Sequence, residues 1–333
     1  MGTEEIIGLK QQITEKISSL INSDYIFLDL PYYTNIGDVL IWKGTEDMLK
    51  TLPYKCIYKS SIENYVKPQI SSDVIILLQG GGNFGDIWRR HTKFSLKIIQ
   101  DYPENRIIIL PQTVYYKSSQ TMHSDAHLMS MHKNLTLCAR DTTTFKLLNR
   151  YFSKNHLVLM PDMAFCISRD FINKYKNAAH KESLFINRKD QEQLSPDQNN
   201  YTFDHNGVEE REWPSMEKPM FHTKMLFWCK KITSALTRRN VFPKTMNKLT
   251  DFYAQKIFMP KILKLGIQFI SEYQYVYSTR LHGAILAVLL NKPVTFFDNS
   301  YGKNSTFYTT WLKNYKHIKF IKKDEMLLKG RKE

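Results

Sequence analysis

The segment Tyr273-Gln-Tyr-Val-Tyr-Ser-Thr-Arg-Leu-His-Gly283, followed by the apolar run 284–290, has the pattern of a strand, a short turn and a helix. Residues 273–278 predict a buried strand, and the apolar run predicts a helix that opens after a short turn. Arg280 and His282 would then lie at the C-terminal end of the strand, beside free N–H groups of the helix. Sheets of α/β proteins bind ligands at this end, so we expect an anion there, either a phosphate or a carboxylate.

Short apolar segments alternate with amphipathic stretches along the first half of the chain. The predicted strands are 25–30, 74–78, 106–110, 135–138 and 157–160, and the predicted helices between them are 38–50, 87–100, 120–132 and 142–152. Such alternation predicts an α/β fold with a parallel sheet. The loops after the strands, where function is expected, are 31–37, 79–86, 111–116, 140–142 and 161–164.

Length and composition limit the class of protein. The 333 residues exceed what one core usually organises, so we expect two domains, 1–167 and 168–333. Acidic residues follow Met1 where a secretory signal needs basic ones, and no segment has the ~18 uncharged apolar residues of a membrane span. The four cysteines lie singly in apolar surroundings, which predicts reduced thiols in a cytoplasmic protein: Cys56, Cys138, Cys166 and Cys229.

Two polar regions of the second half have distinct predicted roles. Residues 191–213 predict a mobile loop. The formal net charge of +15 is concentrated in segment 218–264, which holds eleven Lys or Arg and the single acid Asp251. One helical face of this segment is apolar, at Met225, Trp228, Ile232 and Leu236. We expect docking on an anionic membrane surface; a helix that covers its own core is the alternative, and nucleic acid is disfavoured because no known binding module accompanies the charge.

A glycine-rich loop, Gln79-Gly-Gly-Gly-Asn-Phe-Gly-Asp86, follows the predicted strand 74–78. Successive glycines such as Gly81 and Gly82 let backbone N–H groups approach a ligand, although a tight turn also explains one or two of them. Asn83 and Asp86 either cap the next helix or contact sugar hydroxyls. Neither a Walker loop nor a dinucleotide fingerprint is present, so ATP and NAD are disfavoured.

Other polar side chains stand at predicted strand ends. Asp38 is a natural helix N-cap, while Asn35 is either a turn residue or a substrate contact. Arg140 either pairs with Asp141 or holds an anion at the rim of the sheet. Asp162 is interpreted as a structural hinge residue. Substrate contact and a structural role both remain open for three further positions: Gln112, Arg188 and the segment 298–303.

Eight of these blocks, in this order, resemble the signature blocks of the polysaccharide pyruvyl transferase family. They are Asn35-Ile-Gly-Asp38, Gln79-Gly-Gly-Gly-Asn-Phe-Gly-Asp-Ile-Trp88, Leu110-Pro-Gln112, Ala139-Arg-Asp141, Pro161-Asp-Met-Ala164, Arg188-Lys-Asp190, Arg280-Leu-His-Gly283 and Asp298-Asn-Ser-Tyr-Gly-Lys303. The resemblance implies two Rossmann-like domains with a central cleft, similar to GT-B glycosyltransferases. It also implies phosphoenolpyruvate as donor and a sugar that receives a pyruvate ketal.

Matched by position, the donor-binding residues of the family fall on Arg140, Arg280, Leu281 and His282. Thr279 departs from the acidic residue that often precedes the arginine. We assign catalytic roles to Arg140, Arg280 and His282, and we add Gly283, Asn299 and Lys303 to the donor site. The acceptor side is assigned to Asn35, Asp38, Gly81, Gly82, Asn83, Asp86, Gln112 and Arg188.

The chemistry suits these side chains, because phosphoenolpyruvate needs fixed cations for its phosphate and carboxylate and a proton donor for its enol. We expect His282 to protonate the methylene carbon or the departing phosphate. One sugar hydroxyl attacks the cationic carbon, and a second closes a six-membered ketal, bridging positions four and six of a galactose-type sugar. The scheme requires neither a metal nor a cofactor.

The predicted protein thus modifies a precursor of a surface polysaccharide, such as a capsule or exopolysaccharide. A lipid-linked precursor would place it at the inner face of the cytoplasmic membrane, and a homo-oligomer stays open. Two alternatives remain: a GT-B glycosyltransferase that uses a nucleotide sugar, and a non-catalytic membrane-associated assembly factor.

Overall fold

The first of two parallel sheets is built by the first half of the chain. The computed structural model describes residues 2–190, 192–194, 201, 203–205, 207–218, 220–238 and 243–325. The strands are β1 (Tyr25–Leu28), β2 (Cys56–Ser60), β3 (Ile75–Leu78), β4 (Gly81–Gly85), β5 (Ile107–Tyr115), β6 (Leu135–Ala139) and β7 (His156–Leu159). Their order is β2-β1-β3-β5-β6-β7, with β4 paired to the outer part of β5. Every pairing is parallel.

The second sheet is built by the second half of the chain. Its strands are β8 (Lys181–Ile186), β9 (Val208–Arg211), β10 (Tyr273–Ser278), β11 (Val294–Phe297) and β12 (Ile318–Ile321). Their order is β12-β11-β10-β8-β9, and all pairings are again parallel. The predicted α/β class with parallel sheets is therefore confirmed.

Helices connect the strands, as parallel pairing requires. They are α1 (Gly2–Leu20), α2 (Ile36–Leu49), α3 (Arg89–Asp101), α4 (Ser119–Ser130), α5 (Thr142–Tyr151), α6 (Arg169–Tyr175), α7 (Pro214–Glu217), α8 (Phe221–Arg238), α9 (Pro243–Tyr253), α10 (Met259–Ser271), α11 (Leu281–Leu289) and α12 (Lys303–Phe307). A short 3₁₀ turn covers Met163–Cys166. No helix in the described part of the chain combines the length and apolar character needed to cross a bilayer.

A continuous apolar core joins the two halves. It contains α2 from the first half and α10 and α11 from the second. Gly266 of α10 lies so close to α2 that a Cβ there would stand 2.7 Å from Cγ2 of Ile36. The predicted domain boundary at 167/168 falls between the strands of the two sheets and stays a prediction. Helices α9 and α10 of the second half contact β2 and α2 of the first, and Lys230 of α8 donates to the carbonyl oxygen of Tyr32.

Three predicted loops are wrong in part. Residues 81–85 of the glycine-rich segment form β4, and residues 111–115 extend β5. These two parts of the chain form strands because they pair with each other. At Gly85 a Cβ would stand 1.8 Å from the carbonyl oxygen of Tyr115, so only glycine fits this close pairing. Residues 208–211 of the predicted mobile loop form β9 on β8, while residues 191, 195–200, 202 and 206 lie outside the described ranges.

Candidate active site

A cavity of about 860 Å³ lies between the C-terminal edges of the two sheets. Both halves of the chain line it, which agrees with the expectation that ligands bind at the carboxyl ends of parallel strands. Ten of the residues assigned from sequence line this cavity: Asn35, Asp38, Gly82, Asn83, Arg140, Arg188, Arg280, Leu281, His282 and Lys303.

Three other assigned residues lie outside the lining and support the backbone of the first half. Gly81 has a φ of +141° in β4, a conformation that favours glycine. Asp86 accepts hydrogen bonds from the backbone N–H groups of Lys117 and Ser118 instead of capping a helix. Gln112 donates through Nε2 to the carbonyl oxygen of Gln79 at 2.8 Å, so it joins β5 to the glycine-rich strand.

Gly283 and Asn299 also lie outside the lining, and both have packing or capping roles. A Cβ at Gly283 would stand 2.4 Å from Oγ of Ser278, so glycine allows α11 to pack on β10. Oδ1 of Asn299 accepts from the N–H of Lys303 at 2.8 Å and so caps the start of α12. Neither residue faces the cavity, although both were assigned to the donor site from sequence.

Asp162 links the two halves of the chain at the base of the cavity. Its Oδ2 accepts from Nη1 of Arg140 at 2.7 Å and lies 3.3 Å from Nε2 of His282. Burial alone would raise the pKa of Asp162, but the charge and hydrogen bond of His282, together with Arg140, hold the pKa well below its usual range. Asp162 is thus more than the hinge residue expected from sequence, because it bonds two proposed catalytic side chains.

His282 is positioned by the N-terminus of α2, which faces its ring. His282 itself lies in the first turn of α11, which begins at Leu281. The ring packs on Gly37 of α2, where a Cβ would stand 2.8 Å from Nδ1 and 2.9 Å from Cβ of His282. Asn35, rather than Asp38, caps α2 and accepts from the N–H of Gly37 at 3.0 Å. A residue larger than glycine at position 37 would therefore displace the imidazole.

Six side chains of the second half form an ion-pair network along one wall of the cavity. Arg280 donates to both carboxylate oxygens of Glu212 at 2.6 Å and to Asp190 at 3.1 Å. Arg188 in turn contacts Asp190 at 3.0 Å and Glu192 at 2.8 Å. The network Glu212–Arg280–Asp190–Arg188–Glu192–Lys303 ends where Nζ of Lys303 meets Oε2 of Glu192 at 2.7 Å. Three cations and three carboxylates alternate, as expected for charges held in a largely buried position.

The network keeps the carboxylates of Glu192 and Asp190 ionised. Burial raises the pKa of Glu192, but the charges of Lys303 and Arg188 outweigh burial and place the pKa well below its usual range. Burial would likewise raise the pKa of Asp190, but the hydrogen bond and charge of Arg188 and the charge of Arg280 outweigh burial and lower this pKa. Burial lowers the pKa of Lys303, and only the Glu192 carboxylate opposes this change substantially. An incoming anion therefore meets cations that are already fixed in place.

Cations from the two halves converge on the space beside Gly82. A Cβ at Gly82 would stand 3.2 Å from Nη2 of Arg140 and 3.2 Å from Nζ of Lys303. Nε and Nη1 of Arg140 are engaged by Thr113 and Asp162, whereas Nη2 donates to no protein acceptor within the described ranges. The position beside Gly82 is consequently suited to a phosphate or carboxylate oxygen.

A buried carboxylate holds a second histidine on the opposite wall. Nδ1 of His91, in α3, lies 2.8 and 3.0 Å from the two oxygens of Asp29, and His91 lines the cavity. Asp29 follows β1 with a φ of +63°, a conformation that is uncommon outside glycine. Burial lowers the pKa of His91, but the hydrogen bond and charge of Asp29 outweigh burial and raise it above its ordinary value. A ring held through Nδ1 in this way presents Nε2 as its free nitrogen.

An amide, a phenol and a carboxylate surround this histidine. Oδ2 of Asp38 accepts from Nδ2 of Asn35 at 2.8 Å and from the hydroxyl of Tyr33 at 3.1 Å. The ring of Tyr33 meets that of His91 edge to face, with centroids 6.2 Å apart. A set of amide, phenol and carboxylate groups is suited to the hydroxyls of a sugar.

Sequence reasoning missed Asp29, His91, Glu192 and Glu212. Asp29 fell inside the predicted strand 25–30, whereas β1 ends at Leu28, so nothing in the sequence indicated that Asp29 stands at a strand end. Glu192 and Glu212 fell within the predicted mobile loop and showed no pattern of their own. The described residues contain no cluster of three or more His, Cys, Asp or Glu side chains arranged for a metal ion.

Comparison with known proteins places these observations in a family. The family model for polysaccharide pyruvyl transferase matches residues 35–301. The chain is 31% identical to EpsO of Bacillus subtilis (strain 168), named a pyruvyl transferase, over 95% of this chain and 94% of EpsO. It is 22% identical to Pyruvyl transferase 1 of Schizosaccharomyces pombe, covering 86% of this chain and 69% of that protein.

A solved structure supports the fold. KP1_0663 from Klebsiella pneumoniae subsp. pneumoniae NTUH-K2044 superposes with a TM-score of 0.59 at 21% identity, covering 94% of this chain and 98% of that chain. The match over most of the chain, and the identity with EpsO, show the family. The chain belongs to the polysaccharide pyruvyl transferase family.

Proposed function

We propose that this protein transfers the pyruvate group of phosphoenolpyruvate to a sugar of a cell-surface polysaccharide precursor and releases phosphate. The observation that carries the proposal is the convergence of Arg140 and Lys303, from opposite halves of the chain, on the space beside Gly82. Arg280 and His282 line the same cavity. The halves would correspond to two Rossmann-like domains of GT-B type, 1–167 and 168–333.

Binding of the donor follows from the placement of the cations. Phosphoenolpyruvate has two anionic groups, and one can occupy the space between Nη2 of Arg140 and Nζ of Lys303. The other would contact Arg280, whose Nη1 donates to no protein acceptor among the described residues. Each charged hydrogen bond contributes about 1.5–3 kcal/mol. Asp162 orients Arg140, and the carboxylates of the ion-pair network orient Arg280 and Lys303, without occupying all of the donors of these cations.

The reaction then needs one proton donor and one base. His282 gives a proton to the methylene carbon, which becomes a methyl group, and the adjacent carbon becomes cationic. A sugar hydroxyl attacks that carbon and loses its proton to a base. The C–O bond to phosphate breaks, and a second hydroxyl of the same sugar closes the ketal, with its proton leaving on phosphate. The two hydroxyl protons balance the proton added to carbon and the proton carried by phosphate.

His91 is the base that the geometry supports for the attacking hydroxyl. Asp29 holds its Nδ1, so a neutral ring accepts a proton at Nε2, and the resulting imidazolium is stabilised by the carboxylate. Tyr33, Asn35 and Asn83 line the same wall and would orient the sugar. The acceptor is proposed to be a galactose-type sugar with a ketal at positions four and six.

The direct test incubates the purified protein with phosphoenolpyruvate and a galactose-containing acceptor, with and without a chelator. We expect phosphate release that depends on the acceptor, persists with the chelator, and accompanies a sugar product heavier by one pyruvate ketal. Stabilisation by nucleotide sugars but not by phosphoenolpyruvate, with glycosyl transfer, would establish the glycosyltransferase alternative. A chain that binds neither donor and still supports polysaccharide assembly would establish the assembly factor.

A further inference from the structure

Helix α8 exposes an unusual apolar stripe. Phe221, Met225, Trp228 and Ile232 are separated by four, three and four residues, so they lie on one side of the helix. Their exposed fractions are 69%, 37%, 58% and 50%. Phe227 adds a further exposed ring at 59%. Leu226 and Thr233, on the other side, are buried. Large apolar residues are thus concentrated on the solvent side of α8.

Helix α9 presents a similar face in the same direction. Leu249 and Phe252 are 58% and 60% exposed. The inner sides of both helices rest on one residue of the first half: Nζ of Lys230 donates to the carbonyl oxygen of Tyr32 at 2.9 Å, and the hydroxyl of Tyr32 donates to Asp251 at 2.8 Å. Since both inner sides meet Tyr32, both apolar faces point away from the body of the protein. We call the two faces together the α8–α9 surface.

Lysines flank the α8–α9 surface. Lys224 and Lys231 on α8 are exposed, as are Lys248 and Lys256 on and just after α9. The single acid in segment 218–264 is Asp251, which is only 9% exposed and lies beneath the helices. The surface therefore combines aromatic and aliphatic side chains with positive charge alone.

We propose that the α8–α9 surface docks on an anionic lipid bilayer. Apolar side chains at helical spacing, flanked by lysines, are suited to a helix that lies in the interface between headgroups and acyl chains. A second copy on this surface would bring lysines against lysines, which costs free energy. Nucleic acid would not contact Ile232 or Leu249 favourably, because it is recognised through phosphates and base edges.

The α8–α9 surface lies next to the cavity wall assigned to the sugar, so docking would bring that wall to the membrane. This inference rests on the proposed function. Tyr32 supports α8 and α9, and the next residue, Tyr33, lines the cavity on the wall assigned to the sugar. A docked protein would hold this wall close to the bilayer. A sugar attached to a membrane lipid could then enter the cavity from the acceptor side.

The test is flotation of the full-length protein with vesicles of phosphatidylcholine, with and without phosphatidylglycerol. We expect flotation with the anionic vesicles, weaker flotation as salt increases, and little with phosphatidylcholine alone. The assay contains neither donor nor acceptor, so its failure and a failure of the proposed catalysis are distinguishable. A soluble acceptor should still be modified without vesicles.

Paired variants identify the contacts. Trp228→Ser with Ile232→Ser should lower vesicle affinity at least about tenfold, since two large apolar groups are lost from the interface. The matched control is Ile7→Ser with Met131→Ser, which are 56% and 61% exposed elsewhere. Lys224→Gln with Lys231→Gln should cost about fivefold for each lysine. Its control is Lys146→Gln with Lys154→Gln, both exposed on the first half.

Several results would overturn docking. Absence of flotation at low salt is one, and equal flotation of the α8–α9 variants and their controls is another. Concentration-dependent dimerisation that Trp228→Ser abolishes, in a protein that ignores vesicles, would assign the surface to a second copy. Soluble-acceptor turnover measured on each variant checks that the fold is intact.

Discussion

The two walls of the cavity differ in how their charged and polar side chains are arranged. The wall from the second half holds three cations and three carboxylates in one alternating network, so its charges are fixed before any ligand arrives. The wall from the first half has hydrogen-bonding side chains around a single histidine that a buried carboxylate orients. Its charged lining residues are Asp38, the Arg90–Glu63 ion pair and Arg140, which converges with Lys303 of the second half.

We infer from this difference that each wall is suited to a different substrate. Pre-formed ion pairs lower the cost of holding cations in a protein interior, and they suit a small dianion with two fixed charges. Hydrogen-bonding side chains suit a neutral polyol that must lose a proton during reaction. Variants of one wall should therefore affect a different step from variants of the other, and their kinetics test this difference.

The largest expected effect is on His282, the proposed proton donor of the wall from the second half. His282→Ala should lower turnover by about 10²–10⁴-fold, because protonation of the enol loses its acid. The protein should stay folded, since the ring lies at the cavity and its contact with Asp162 is at 3.3 Å. His317→Ala, at an exposed position of the same half, is the control. Near-normal turnover of His282→Ala would remove this histidine from the reaction.

The next effect concerns the base of the other wall. Asp29→Asn should lower turnover by roughly 10²-fold and change its pH dependence. Turnover should rise with pH as His91 loses its proton; Asp29 raises the pKa of His91, so its replacement moves this rise to lower pH. The pH profile of kcat measures the change, with the exposed Asp73→Asn as control. An unmoved profile would contradict the role of His91.

A smaller effect is expected where the two walls meet. Gly37→Ala places a methyl group against the ring and Cβ of His282, so the imidazole must shift. Turnover should fall about tenfold, and the free energy of unfolding should fall by ~1–3 kcal/mol, the usual cost of overpacking. Gly8→Ala is the matched control, since a Cβ at Gly8 meets nothing within 4 Å. Equal activity of the two variants would show that His282 tolerates displacement.

The smallest effect on turnover is expected beneath the wall of the first half. Burial raises the pKa of Asp251 to about 7, although Tyr32 and Asn64 donate hydrogen bonds to it. The folded state therefore keeps a proton that the unfolded chain releases near pH 4, and the free energy of unfolding should fall as pH rises from about 4 to 7, by at most about 4 kcal/mol. Asp251→Asn should abolish this contribution.

Urea unfolding of wild type and Asp251→Asn at pH 5 and pH 8 measures the difference. The variant should gain stability relative to wild type at the higher pH. A constant difference between the two proteins at both pH values would contradict the assigned pKa. Turnover with a soluble acceptor should be similar for the two proteins, because Asp251 does not line the cavity.

Strand-end reasoning predicted the parallel sheets and much of the charged wall. Arg280 and His282 follow a strand of clear apolar pattern, and Arg140 follows another, so their convergence required only the usual topology of such folds. Lys303 was predicted through the segment after β11. The roles of all these residues remain predictions until they are measured.

The other residues of the site are brought together by contacts between distant segments, which no local sequence pattern shows. His91 meets Asp29 across 62 positions of sequence, and Glu212 pairs with Arg280 across 68. Glu212 follows β9, a strand so polar that the sequence predicted a loop; its pairing with β8 comes from the second sheet as a whole. The glycine-rich strand was missed for a similar reason, since glycine has no side chain to show a strand period.

The most direct test is a crystal structure of the protein soaked with phosphoenolpyruvate. The account predicts electron density for the ligand between Arg140 and Lys303, beside Gly82, with its second anionic group on Arg280 and its methylene carbon facing His282. Density elsewhere, or an unchanged cavity at ligand concentrations that saturate turnover, would contradict the account.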